Sequence, residues 1–245
     1  PSLGVEDVQA DHAGPCCLAC GLVRPHMPWQ GPGKYSDMDP PESVTLPEVP
    51  DDDLNDIPEG GVESAKPHGD HATMLKTGNW RYAVQAYLAS IAFVDVQIGR
   101  LLDALDASPY AENTIIVLWG DHGWHLGEKQ HWRKFALWEE ATRAPLMFVV
   151  PGLTEPGTRC RQPVDFMNIY PTLADLCELP IPEHCEGVSM RPLLKDADAE
   201  WDRPALTTHG RLNHALRSQR YRYIRYADDS EELYDHNSDP MEWKN

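Results

Sequence analysis

The chain has 245 residues, 41% of them hydrophobic, with 21 Lys and Arg against 39 Asp and Glu and a formal net charge of −18. That is enough for one large domain or one and a half small ones around a hydrophobic core. The acidic balance argues against a nucleic-acid partner, since neutralising phosphates needs Lys and Arg, and a polyanionic substrate would need a local basic pocket.

No run of about 18 apolar residues occurs, so no segment is expected to span a membrane. The first residues, PSLGVEDVQADHAG, lack the basic start and apolar core of a signal peptide. Cys16 to Val23 reads as a buried strand ending at Arg24-Pro25-His26. In that strand the CxxC pair Cys17 and Cys20 reads as small buried hydrophobes, because no second pair follows to complete a zinc site. A disulfide between Cys177 and Cys185 is left open. From Gly31 to about Pro67 the chain is rich in Pro, Gly and Asp, a long surface excursion expected to form an ordered rim near a functional site.

A long helix is predicted from about Met74 to Ala107. Val84, Tyr87, Leu88, Ile91, Val94, Ile98, Leu101, Leu102 and Leu105 recur there at helical spacing. Asn113 to Trp119 reads as a strand. Glu139 to Arg143 precedes another, Leu146 to Val150, closed by Pro151-Gly152. Asp165 to Leu179 reads as a helix with Ile169, Leu173, Leu176 and Cys177 on one face. This alternation predicts a mainly parallel α/β sheet between helices. From about Thr207 the segments Ala215–Arg217, Tyr221–Tyr226 and Glu232–Tyr234 are short, aromatic and β-prone, which predicts a small antiparallel sheet. The expected division is an α/β domain over 1–200 and an antiparallel subdomain over 201–245.

The richest segment follows the apolar run Ile115–Trp119: Gly120-Asp121-His122-Gly123-Trp124-His125-Leu126-Gly127-Glu128, then Lys134. A buried strand that stops at Gly-Asp-His-Gly delivers side chains where open α/β sheets bind ligands, outside the carboxyl ends of strands. Asp121 is a hard oxygen ligand for a divalent cation, and neutral His122 can join it. Capping of the following turn is the plain alternative for Asp121. Lys134 offers a point charge to an anion, with Lys129 and Arg133 as competing cations and a solvated surface role as the alternative. His122 and His125, three apart, suggest zinc, but no third and fourth ligand is evident.

The run from Thr114 to Gly152 resembles the type I sulfatases, most closely the iduronate-2-sulfatase-like branch. The resemblance extends to Gly21-Leu22-Val23-Arg24-Pro25-His26-Met27-Pro28-Trp29. It continues in the tail Asn213-His214-Ala215-Leu216-Arg217-Ser218, Tyr221–Tyr226 and Glu232–Asp235. It implies an alkaline-phosphatase-like α/β fold with a small antiparallel C-terminal subdomain. It also implies one Ca²⁺ held in part by Asp121 and His122, with Lys134 contacting the sulfate. His26 would lie at the leaving-group oxygen, with packing in its proline-bounded turn as the alternative; Trp124 would shape the pocket wall; and Asn213 and His214 would either reach the substrate or serve a structural role. The family's Cys-x-Pro-x-Arg or Ser-x-Pro-x-Arg signature, source of its formylglycine nucleophile, does not occur, nor do its N-terminal Asp-Asp ligands. The expectation is therefore a C-terminal half with the N-terminal part missing. The implied activity is hydrolysis of sulfate monoesters of a sugar or glycosaminoglycan-like polysaccharide, in a secreted, periplasmic or lysosomal setting. Two alternatives stand beside it: a phosphomonoesterase or phosphodiesterase of the same superfamily, and a non-catalytic sulfated-glycan-binding pseudoenzyme. The sequence leaves the sugar and the oligomeric state open.

Overall fold

The computed structural model describes residues 4–12 and 14–245. In chain order the helices are α1 (Val5–Gln9), α2 (Gly33–Ser36), α3 (Glu59–Ala65), α4 (Asp70–Thr77), α5 (Trp80–Asp106), α6 (Glu139–Thr142), α7 (Ile169–Leu176) and α8 (Arg191–Lys195). The strands are β1 (Ile116–Trp119), β2 (His125–Leu126), β3 (Trp132–Arg133), β4 (Leu146–Val149), β5 (Ala205–Thr208), β6 (His214–Arg217), β7 (Tyr221–Arg225) and β8 (Glu231–Asp235). Packing groups them into two compact units. One is the chain up to Pro47 with Ala72–Thr114; the other is Glu48–His71 with Ile115–Asn245. The antiparallel sheet shares the second unit with residues 115–200, so the packing boundary does not fall at residue 200.

The first unit is built on α5. The long predicted helix is divided by Gly78, which sits in the left-handed region at φ 69° and ends α4. Tyr35 of α2 meets Phe93 edge-on at 5.6 Å and Trp29 meets Tyr87 at 5.8 Å, both favourable aromatic geometries. Gln85 Nε2 donates to the Ser36 carbonyl at 3.0 Å, and the Arg81 guanidinium donates to the carbonyls of Pro41 and Val44. The first part of the Pro-rich excursion is thereby fastened to the helix.

The strand expected over Cys16–Val23 is not formed. The segment forms no regular element, and its side chains are mostly exposed, Val23 with 81% exposure. An apolar run becomes a strand only when a ladder satisfies its backbone, and none of the described strands pairs with it. Cys16, Cys17 and Cys20 are accordingly exposed, not packed, and Cys177 and Cys185 are not bridged.

The second unit is α/β with a C-terminal antiparallel sheet. Every strand pair among the described residues is antiparallel, which corrects the mainly parallel sheet expected within this chain. The cause is local. Gly120, just past β1, donates its N–H to the Pro145 carbonyl, just before β4, at 3.0 Å. Ends tied together in this way force the second strand to run back along the first, so Ile116 lies opposite Val149 and Trp119 opposite Leu146. The C-terminal sheet runs β5-β6-β7-β8. Period-two alternation turns Arg222, Ile224 and Tyr226 inward from β7, and Glu232 and Tyr234 from β8. They close a core with Ile57, Ala65, Ala136, Leu137, Trp138, Ala141 and Ala215. Each large apolar side chain buried there contributes roughly 1.5–3 kcal/mol before chain entropy is subtracted.

Candidate active site

The Gly-Asp-His-Gly loop is held by its backbone. Gly123 donates its N–H to the Ala141 carbonyl at 2.8 Å, at the end of α6. A Cβ on Gly123 would collide with the carbonyl oxygens of Glu140 and Arg143, so only glycine lets the loop lie this close to α6. The side chains of Asp121 and His122 are left outside this anchoring. Asp121 is 86% exposed, and its Oδ2 lies 3.5 Å from His122 Nε2. His122 Nδ1 donates to the Gly123 carbonyl at 2.8 Å. With the proton on Nδ1, Nε2 carries the lone pair beside a carboxylate. That donor pair suits a divalent cation as two of its ligands. Trp124, buried, places its ring 6.1 Å from that of His122.

A second cluster, Glu139, His236 and Glu242, brings carboxylate and imidazole ligand atoms within 4.8 Å of one another. It is already charge-matched. The Arg222 guanidinium pairs with both carboxylates, Arg217 Nε donates to Glu139 Oε2 at 3.1 Å, and Arg217 Nη2 donates to His236 Nδ1 at 2.9 Å. A metal there would face two guanidinium groups, so the cluster does not fit one.

The three competing cations separate cleanly. Lys129 Nζ lies 2.8 Å from Asp53 Oδ1 with both side chains buried, 5.2 Å over the Tyr234 ring. Burial lifts the Asp53 carboxyl above its usual range despite the pull of Lys129. Arg133 Nε pairs with Asp70 at 2.8 Å on the surface. Lys134 is half-buried with its Nζ 5.8 Å over the Phe135 ring and, among the described residues, no acidic partner.

His125 and His131 are structural. Their rings meet edge-on at 5.0 Å against Trp138, with Nδ1 atoms bonded to the carbonyls of Glu128 at 3.1 Å and Ala65 at 2.9 Å. Burial drives the His125 imidazole down to about 3 and lowers His131 as well. His125 is therefore packed in the core and makes no zinc pair with His122. Asn213 spends its amide on the antiparallel sheet's turns: Nδ2 donates to the His209 carbonyl in the β5–β6 turn at 3.0 Å, and Oδ1 accepts from Ala227 N in the β7–β8 turn at 2.8 Å. His214 Nδ1 is bonded to Thr208 Oγ1 at 2.9 Å. His26 belongs to the first unit, on an exposed loop. The Arg24 guanidinium gathers that loop by donating to the carbonyls of His26, Pro28 and Gln30, and Trp29 Nε1 donates to the Pro25 carbonyl at 2.7 Å.

Residues 4–179 match the family model described as Sulfatase, and residues 127–245 that of N-sulphoglucosamine sulphohydrolase, C-terminal. The chain belongs to the sulfatase family. It is 44% identical to a protein named Sulfatase from Formosa agariphila, over 98% of this chain and 48% of that one. It is 33% identical to the Iduronate 2-sulfatase of Homo sapiens, over 71% of this chain and 38% of that one. The chain thus spans about half the length, or less, of these relatives. Its fold is similar to that of the phosphonate monoester hydrolase from Silicibacter pomeroyi. The TM-score is 0.77 at 24% identity, over 91% of this chain and 50% of that one.

Within this sulfatase-family chain, sequence reasoning missed one part of the site's support. Glu242, near the C-terminus, accepts the backbone N–H of Glu139 on Oε2 at 2.9 Å and so caps α6, while its Oε1 takes Arg222 and His236. The available signal was Arg222 itself, a charge on the inward register of β7 that requires a buried acid.

Proposed function

We propose that this chain is the metal- and sulfate-binding part of a hydrolase of sulfate monoesters on a sugar or glycosaminoglycan-like polysaccharide. The supporting observation is the sorting of the cations: Lys129 and Arg133 are consumed by Asp53 and Asp70, and Lys134 keeps its charge for an anion. The names of its relatives, Iduronate 2-sulfatase and Delta 4,5-hexuronate-2-O-sulfatase, support an acidic sugar as the substrate.

In this reading Asp121 and His122 hold Ca²⁺, which would supply Lewis-acid stabilisation to the sulfuryl oxygens when bound. Lys134 places its ammonium against the same oxygens, where charge builds as sulfur is attacked. His26 donates a proton to the leaving alkoxide. The nucleophile, a formylglycine, is supplied by sequence beyond these 245 residues, so this chain alone turns over no sulfate ester.

Calorimetric titration of the chain tests the reading. Ca²⁺ should bind and Asp121→Ala should abolish it; inorganic sulfate should bind and Lys134→Ala should weaken it at least tenfold. Sulfate affinity equal in Lys134→Ala and wild type would refute the assignment. Clear hydrolysis of an aryl sulfate by the pure chain would show that the nucleophile lies within it.

A further inference from the structure

We propose that Phe135, His209 and Arg211 form the subsite that binds the sugar beside the sulfate: Phe135 and His209 as a platform for the pyranose ring, and Arg211 as the cation for a second acidic group on it. The inference rests on the reading of Lys134 as the sulfate contact.

Lys134 and Phe135 are adjacent in the chain, and the Lys134 ammonium stands 5.8 Å from the Phe135 ring. That ring is 52% exposed, while its neighbours Ala136, Leu137 and Trp138 are buried almost completely. Burial therefore does not explain its placement. Its companion comes from another element. The His209 ring, just past β5, lies 5.6 Å away at an interplanar angle of 31°, closer to stacked than to edge-on. Two rings tilted 31° from each other beside an ammonium form an aromatic step of the kind that the C–H face of a sugar covers.

The hairpin that carries His209 is built for a fixed shape. His209 N donates to the Asn213 carbonyl at 3.1 Å, Asn213 Nδ2 donates back to the His209 carbonyl, and Asn213 Oδ1 ties the tip to Ala227 N in the β7–β8 turn. Gly210 and Leu212 both have positive φ, 68° and 67°. A leucine in the left-handed region is strained, and such strain gathers where a tip must present particular side chains. Between them stands Arg211, exposed and, among the described residues, without an acidic partner. Arg133, Arg143, Arg191, Arg220 and Arg225 pair with carboxylates, whereas Arg211 leaves its guanidinium open on a chain of net charge −18. An unmatched guanidinium at the tip, two residues from an aromatic step next to Lys134, is a local basic patch on an acidic protein. Guanidinium suits a carboxylate or a second sulfate through paired N–H donors. The ligand is thus an anionic sugar whose sulfate lies at Lys134 and whose second acid lies at Arg211.

Two ligands separate the parts when titrated into the chain: inorganic sulfate, and a heparin disaccharide carrying a 2-O-sulfated uronate. Wild type should bind the disaccharide more tightly than sulfate. Phe135→Ala and Arg211→Ala should each weaken the disaccharide about tenfold and leave sulfate affinity unchanged, and Phe135→Tyr should retain most of the disaccharide affinity. Lys134→Ala should weaken both ligands. If Lys134→Ala acts as expected while Phe135→Ala and Arg211→Ala leave the disaccharide unaffected, the subsite is overturned and the sulfate assignment stands. If wild type binds neither ligand, or Lys134→Ala changes neither, both are overturned. Equal loss of sulfate and disaccharide in Phe135→Ala would also overturn the subsite, because it would mark a general disturbance of the Lys134 segment.

Discussion

Replacing Lys129 by Met should destabilise the fold strongly, and the size of the effect should depend on pH. The ammonium is fully enclosed 2.8 Å from Asp53 Oδ1. Methionine fills a similar volume and removes the charge, leaving Asp53 as a lone buried carboxylate. Breaking one side of a buried ion pair typically costs about 3–5 kcal/mol. Asp53 also has an escape, which is to take up a proton. Protonating a carboxyl of ordinary value 3.8 at pH 7 costs about 4 kcal/mol, and at pH 5 only about 2 kcal/mol. The loss relative to wild type should therefore be near 4 kcal/mol at pH 7 and near 2 kcal/mol at pH 5. For a chain of this size that is a fall in Tm of about 8–16 °C at neutral pH. Urea unfolding of wild type and variant at both pH values measures it, and adding Asp53→Asn to Lys129→Met should recover much of the loss. Lys134→Met, with no acidic partner to strand, should stay within about 1 kcal/mol of wild type. A Lys129→Met loss below 1 kcal/mol at pH 7, or the same loss at both pH values, would refute the reasoning.

Three further outcomes follow from the same contacts. Gly123→Ala should cost about 2–4 kcal/mol in urea unfolding, from overpacking against the α6 carbonyls and the strained bond to Ala141. Gly120→Ala, whose added Cβ meets the Pro145 ring at 3.3 Å and nothing closer, should be milder, and the reverse order would contradict the packing. His125 is held far below its ordinary value of 6.5, to about 3, so the unfolded chain binds a proton that the folded chain refuses. Stability is then fully present above pH 6.5 and falls by up to about 1.4 kcal/mol per unit as pH drops below it; a flat profile between pH 6.5 and 5 would show that His125 titrates in the folded state. Glu242→Ala should cost about 3–5 kcal/mol by leaving Arg222 under-paired and α6 uncapped, and Glu242→Gln less. Hydrogen exchange should show Gly123 N–H losing protection in Glu242→Ala, and unchanged protection there would disprove the coupling.

The legible parts of the fold were those whose pattern is local. The α5 periodicity, the β1 and β4 apolar runs and the aromatic alternation of β7 all appear where the sequence puts them, within a few residues. Relational features were not legible. Cys16–Val23 has the composition of a strand, but whether a ladder exists is decided by other segments. The direction of β4 against β1 depends on the Gly120–Pro145 bond, between residues 25 positions apart. At the site, Asp121, His122 and Lys134 were visible as chemistry. The elimination of Lys129 and Arg133 was not, because Asp53 and Asp70 lie 76 and 63 residues away. Phe135 carries no signal in the sequence, since exposure is a property of packing. His209 lies outside any motif, and only its ring contact with Phe135 draws it in.

The construction separates positioning from chemistry. Asp121 and His122 sit on a loop whose fixed points are backbone groups: Gly120 N–H on Pro145, Gly123 N–H on Ala141, and the glycine-only approach to Glu140 and Arg143. The two side chains proposed as ligands contribute little to that anchoring. Asp121 stays exposed, and His122 spends one nitrogen on the loop and keeps the other. A single turn such as α6 is too short to be stable by itself, so its rigidity must be imported. It comes from Arg222 and Arg217 on the C-terminal sheet and from Glu242, which close on Glu139 in a buried network of matched charges. Such a network is expensive to disturb, because removing any member strands a charge in the core. The antiparallel sheet thus acts on the site at one remove, by fixing the helix that the Gly-Asp-His-Gly loop rests on. Substitutions in the network should loosen the loop without touching either proposed ligand. Substitutions at Asp121 or His122 should alter binding with little cost to the fold.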